Sequence, residues 1–146
     1  MSPTLRIVLA SDHAGFTLKE TLKAYLAGKG YDVIDVGTHS EEPVDYPAII
    51  RQGCDVVLKE GIPGIVLGGS GNGEAMAANK VKGIRAALVY SLETARLARA
   101  HNDANVMSLG GRLTDPELAK HLVDTFLSTP FEGGRHEKRI ADLETV

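Results

Sequence analysis

Cysteine is almost missing from this chain. Cys54 stands alone, so no intrachain disulfide can form and nothing points to an oxidising compartment. No apolar run approaches the roughly 18 residues that a membrane span requires. Met1-Ser2-Pro3-Thr4 leads straight into a short apolar strand, with no charged segment ahead of a long apolar stretch, which predicts no signal peptide. An excess of basic charge is also lacking. Against 19 acidic residues stand 16 Lys and Arg, a formal net charge of -3, so no global field invites nucleic acid. No internal repeat, low-complexity stretch or linker is visible. The expectation is a cytoplasmic protein that engages neither membrane nor nucleic acid.

What is present suits one domain. The chain has 146 residues, 43% of them hydrophobic, enough to bury a core across residues 1–146. Strand and helix patterns alternate. Arg6 to Ala10 is a short β-branched run that suits a buried parallel strand. From Phe16 the period turns helical, with Leu18, Leu22, Tyr25 and Leu26 on one face and Gly28 and Gly30 as the stop. Tyr31 to Val36 is a second strand. A polar loop leads to a helix over Tyr46 to Glu60, with Ile49, Ile50, Cys54, Val57 and Leu58 inward. Gly64 to Leu67 is a third strand, followed by a glycine-rich turn and a helix from about Glu74 to Val81. Arg85 to Tyr90 is a fourth strand, and Ser91 caps a helix reaching about His101. Asn105 to Leu109 is a fifth. Thr114 and Glu117 have capping-box spacing and open a helix with Leu118, Leu122, Val123, Phe126 and Leu127 inward. A basic, weakly apolar helix starts near Arg135.

This alternation predicts an α/β fold, a parallel sheet with helices on both faces. Ligands in such folds sit beyond the carboxyl ends of the strands. Four segments are expected at that rim: Ser11 to Gly15, Gly68 to Glu74, His101–Asn102 and Gly110 to Arg112.

The strongest local feature is Gly68-Gly69-Ser70-Gly71-Asn72-Gly73-Glu74. Its glycines let several N–H groups aim at one point ahead of a helix start, which suits a phosphate or an oxyanion. No Gly-Lys-Ser/Thr ends the loop, so it is not a P-loop, and the dinucleotide spacing fails because Glu74 or Met76 stands where the third glycine belongs. A carboxylate in such a loop suits aldose–ketose isomerisation. That reaction needs one base beside the carbonyl and donors for a cis-enediolate. Glu74 fits the base, the loop N–H groups an oxyanion hole, and Ser70 a hydroxyl relay. From the loop alone, Glu74 is equally well read as an ordinary acid in a helix's first turn.

Asp12-His13 and His101-Asn102 supply acid and base groups able to open a sugar ring; each histidine alone reads as a surface or cap residue. Arg112, and Arg135 with Arg139 four residues on, offer guanidinium forks for phosphate. Cys54 reads as a core residue. The five histidines show no metal-ligand spacing, so no metal site is expected.

Together these segments resemble the ribose-5-phosphate isomerase B family, which is grouped with the galactose-6-phosphate isomerase subunits. The matching stretches are Ser11 to Gly15, Val44 to Pro47, Gly68 to Glu74, Ala77 to Lys80, His101 to Asn105, Gly110 to Arg112, and Arg135-His136 with Arg139. They run in order along nearly the whole chain. The resemblance implies a Rossmann-like three-layer α/β/α sandwich with a five-stranded parallel sheet and no cofactor. It implies a homodimer or homotetramer with active sites between subunits, the C-terminal helix packing on a partner. One branch of the family places a cysteine base at the start of the glycine loop, where this chain has Gly68; the other places a glutamate at its end, here Glu74. The resemblance further implies that His101 and Asp12 open the ring and that Ser70 shuttles a proton. Asn102 and the backbone of Gly69, Ser70, Gly71, Asn72 and Gly73 would then hold substrate oxygens, with His13, Arg112, Arg135 and Arg139 on the phosphate. Ribose 5-phosphate is the implied substrate. A hexose 6-phosphate, erythrose 4-phosphate, a non-catalytic sugar-phosphate sensor and a flavodoxin-like or receiver domain are the competing readings.

Overall fold

A computed structural model describes residues 5–145. Met1–Thr4, on which the signal-peptide expectation partly rests, lie outside the described residues, as does Val146. The elements run β1 (Arg6–Ser11), α1 (Phe16–Gly28), β2 (Asp32–Gly37), α2 (Tyr46–Glu60), β3 (Gly64–Gly68), α3 (Asn72–Asn79), β4 (Ala86–Leu88), α4 (Leu92–Ala100), β5 (Val106–Gly110), α5 (Pro116–Ser128) and α6 (Arg135–Leu143). The strands form one parallel sheet in the order β2-β1-β3-β5-β4.

Residue alternation along the central strands divides the core. Ile7, Leu9, Ile65, Leu67, Met107 and Leu109 point to one face, where Leu18, Leu22 and Leu26 of α1, Ala95 and Ala98 of α4, and Leu122, Val123 and Phe126 of α5 cover them. Val8, Ala10, Val66 and Val106 point to the other, beneath Ile50, Cys54 and Val57 of α2 and Ala78 of α3. The result is the expected three-layer α/β/α sandwich. The connections diverge after β1 and β3: α1 returns on one face and α3 on the other, which opens a crevice between the two strand ends.

Several local expectations are corrected. The N-cap of α5 is Asp115, whose Oδ2 accepts from the Glu117 and Leu118 N–H groups at 3.0 and 3.2 Å. Pro116 takes the first helical position, where its missing N–H costs nothing, so Thr114 is displaced from the cap. Helix α3 starts at Asn72 because Gly71, at φ 86°, supplies the left-handed cap, and a Cβ there would also press on the Leu109 backbone. It stops at Asn79, short of Val81; the Asn79 side chain pairs with the backbone N–H and C=O of Ala86. Strand β4 is shorter than Arg85 to Tyr90 because the Tyr90 N–H is taken by the Thr94 hydroxyl. Leu58 faces outward over the turn at Gly83.

Candidate active site

The crevice between β1 and β3 assembles one cluster. Asp12 is buried at the end of β1, and its Oδ1 accepts from the Gly15 N–H at 3.0 Å, which tightens the turn into α1. The next residue, His13, accepts from the Val44 N–H through Nδ1 at 3.1 Å, leaving Nε2 as the ring nitrogen that can donate. The β3 and β5 loops are clipped together by Gly111 N–H to Gly68 O (2.6 Å) and Arg112 N–H to Gly69 O (3.1 Å). Ser108 Oγ donates to Gly71 O at 2.7 Å and anchors the glycine loop from below. The Arg112 guanidinium lies over Gly69. Ser70 Oγ accepts from the Asn72 N–H at 3.2 Å, and a cleft of about 240 Å³ runs from these two residues toward Leu88, Tyr90 and Leu113 without lining Asp12 or Glu74.

Glu74 sits in the first turn of α3 and is only 4% exposed. Burial raises its carboxyl above the ordinary 4.5, and the nearby Asp12 charge raises it further; backbone N–H groups of Glu74 and Gly71 pull the other way. The carboxyl group occupies the space where a Cβ on Gly68 would lie. The Tyr46 ring closes over Gly73. Tyr46 had no assigned role from sequence, because position 46 reads simply as the start of α2.

A second cluster lies elsewhere. α4 runs antiparallel to the strands, so its C-terminal His101 and Asn102 sit at the N-terminal edge of β5, not at the rim that carries Glu74. Arg85, just ahead of β4, donates to the carbonyls of Asn102 and Asp103 and to Glu144 Oε1, tying α6 to this same edge. His136 of α6 stacks on His101 with ring centroids 4.2 Å apart, and the Glu132 carboxylate lies beside both rings. Arg135 and Arg139 are exposed, and a cleft of about 370 Å³ is lined by His101, Asn102, His136 and Arg139. α6 is thus seated on its own chain through His136 and Glu144, with its arginines outward. The fold separates the residues expected at one rim into two sets at opposite ends of the sheet. It also gathers His101, Glu132 and His136 into one group, which sequence spacing does not disclose.

Burial of Cys54 pushes its thiol up to about 11 and leaves it a core residue. Among the described residues no helix is long and apolar enough to cross a membrane.

Residues 7–143 match the Ribose/Galactose Isomerase family. The chain is 48% identical over 139 residues to a ribose-5-phosphate isomerase B of Mycolicibacterium paratuberculosis, covering 93% of this chain and 87% of that one. A ribose 5-phosphate isomerase structure from Thermotoga maritima superposes with a TM-score of 0.96 at 52% identity, covering 99% of this chain and 100% of the other. The Mycoplasma genitalium ribose-5-phosphate isomerase B, solved with bound ribulose-5-phosphate, gives 0.93 at 41% identity, over 99% and 97% of the two chains. The sheet order, the two residue clusters and these similarities converge: the chain belongs to the ribose/galactose isomerase family.

Proposed function

We propose that this protein interconverts ribose 5-phosphate and ribulose 5-phosphate, with Glu74 as the base. One observation carries the assignment. Glu74 is a buried carboxylate, held above its ordinary proton affinity, in the first turn of the helix that follows the glycine-rich loop. A base of raised affinity is better matched to a carbon acid than an ordinary carboxylate. The loop N–H groups and the α3 N-terminus stabilise the oxyanion that forms as the proton leaves.

The steps follow from this placement. His101 and Asp12 move a proton between the ring oxygen and the anomeric hydroxyl, and the ring opens. Glu74 takes the C2 proton; the electrons pass into a cis-enediolate, its oxygens held by the Gly69–Gly73 backbone and Asn102. Ser70 relays the hydroxyl proton, and Glu74 returns its proton to C1. His13, Arg112, Arg135 and Arg139 hold the phosphate. The chemistry calls only for a base and hydrogen-bond donors, so no cofactor is required.

One chain cannot do this by itself. Strands of five residues at about 3.3 Å per residue separate the two edges by roughly 16 Å, far beyond proton-transfer reach. The Glu74 set of one protomer therefore works with the His101 set of another. Two-fold pairing makes two equivalent sites, in a homodimer or a pair of dimers, with the outward arginines of α6 directed at the partner.

The test is to incubate the protein with ribose 5-phosphate and follow ketose formation, with allose 6-phosphate, galactose 6-phosphate and erythrose 4-phosphate in parallel. Fast turnover of ribose 5-phosphate supports the reading. Preference for another sugar keeps the mechanism and changes the substrate. Binding of phosphosugars without turnover would mark a sensor.

A further inference from the structure

The group at the N-terminal edge has a composition that isomerisation does not use up. His101 follows α4, Glu132 lies in the segment between α5 and α6, and His136 is the second residue of α6. The Glu132 N–H bonds to Ala100 O at 3.0 Å, which fixes the acidic residue beside the end of α4. Glu132 Oε1 then lies 3.8 Å from His101 Nε2 and 3.7 Å from His136 Nε2. Both separations exceed hydrogen-bond length, so no shared proton accounts for the arrangement. His136 is 5% exposed, and its Nε2 has no hydrogen-bond partner among the described residues. A buried ring nitrogen without a partner, aimed at a carboxylate, calls for a ligand.

Distances indicate which kind. One ligand atom from each of the three side chains lies within 4.8 Å of the other two. Groups this close can share one ion at the zinc–nitrogen and zinc–oxygen lengths of about 2.0–2.2 Å after a small inward shift of the side chains. The stacked rings, 19° from parallel, must tip toward each other for their lone pairs to converge. His101, a third exposed, is free to do so. Two imidazoles and one carboxylate select the zinc, cobalt and nickel class over magnesium or calcium, and leave a fourth position open. The positive charge of Arg135 and Arg139 nearby limits the affinity, so the site is one that fills and empties rather than a permanent structural centre.

We propose that His101, Glu132 and His136 form a binding site for a divalent transition-metal ion, and that its occupation takes the ring nitrogen of His101 out of use. The site itself rests on geometry alone; its inhibitory consequence rests on the ring-opening role given to His101.

The probe is Co²⁺ titrated into the metal-free full chain. The expected result is saturable visible d–d absorption of a low-coordinate cobalt site, one ion per chain, displaced by Zn²⁺ and not by Mg²⁺. Glu132→Gln and His136→Gln should each weaken binding at least about tenfold, with circular dichroism showing an unchanged fold. If one of them fails to fold, the other carries the comparison. Ribose 5-phosphate turnover should fall as Zn²⁺ saturates the wild type, at a concentration matching its displacement of cobalt. Absence of saturation below about 1 mM, or bands that persist in a folded variant, would overturn the site. Full saturation without loss of turnover would support the site and overturn the role of His101 instead.

Discussion

At the scale of single residues the proposed chemistry concentrates on Glu74. Glu74→Gln keeps the size of the side chain but removes the proposed base. The expected loss in kcat is on the order of 10³, with KM nearly unchanged, measured by steady-state kinetics on ribose 5-phosphate. Because the carboxyl affinity is raised, the acid limb of kcat/KM should lie above the ordinary glutamate value of 4.5 and vanish in the variant. Stability moves the other way. A carboxyl whose folded value exceeds its unfolded value binds its proton more tightly when folded, so ionisation weakens the fold above that raised value. Glu74→Gln should therefore be more stable than the wild type at neutral pH, a gain that disappears as pH falls below the unfolded value. Thermal melts at two pH values would show it, and equal melting points at neutral pH would count against the buried charge. Gly68 supplies a sharper test. Its missing Cβ is the space that the Glu74 carboxyl fills, so a side chain there and a glutamate at 74 exclude one another. Gly68→Ala should cost most of the activity by displacing the carboxyl. Gly68→Cys combined with Glu74→Ala should recover part of it, because the thiol then occupies the vacated space as the base; a double variant no faster than Glu74→Ala would show that the two positions are not equivalent.

Among elements, the capping of α5 separates the structure from the sequence reading. Asp115→Ala should cost about 1 kcal/mol, because two backbone N–H groups lose their acceptor, whereas Thr114→Ala should change little. Urea unfolding of the two variants would decide it. The rest of the comparison has the same character. Helices α1 and α5 were legible because Leu18, Leu22 and Leu26, and Leu122, Val123 and Phe126, repeat at the helical period and are buried. The glycine loop was legible because its composition has few other uses. Element ends were not, since they turn on particular bonds, such as the Thr94 hydroxyl taking the Tyr90 N–H. Glu132 and His136 received no role because their meaning comes from packing against the end of α4, thirty or more residues earlier. The placement of His101 was missed for a simpler reason. A residue that closes a returning helix belongs to the opposite sheet edge, and the rim rule applies only to segments that follow strands.

For the whole molecule that opposite edge is decisive. The motifs and the family resemblance point to one set of residues, yet a single chain holds them in two places. On the proposed two-fold pairing two copies would bring them together, and this makes a prediction that no single-chain site could satisfy. Glu74→Gln disables the C-terminal cluster, and His101→Ala disables the N-terminal one. Each protein alone should be nearly inactive. In a hybrid dimer one site collects both defects and the other collects neither, so that second site is intact. Equal amounts of the two variants, unfolded together and refolded, give hybrids as half of all dimers if pairing is random. With one site of each hybrid intact, the mixture should recover about a quarter of wild-type turnover. A parallel mixture refolded separately and then combined on ice should stay inactive. If Glu74 and His101 instead served the same chain, every site in every hybrid would carry one defect, and no activity would return however the chains were mixed.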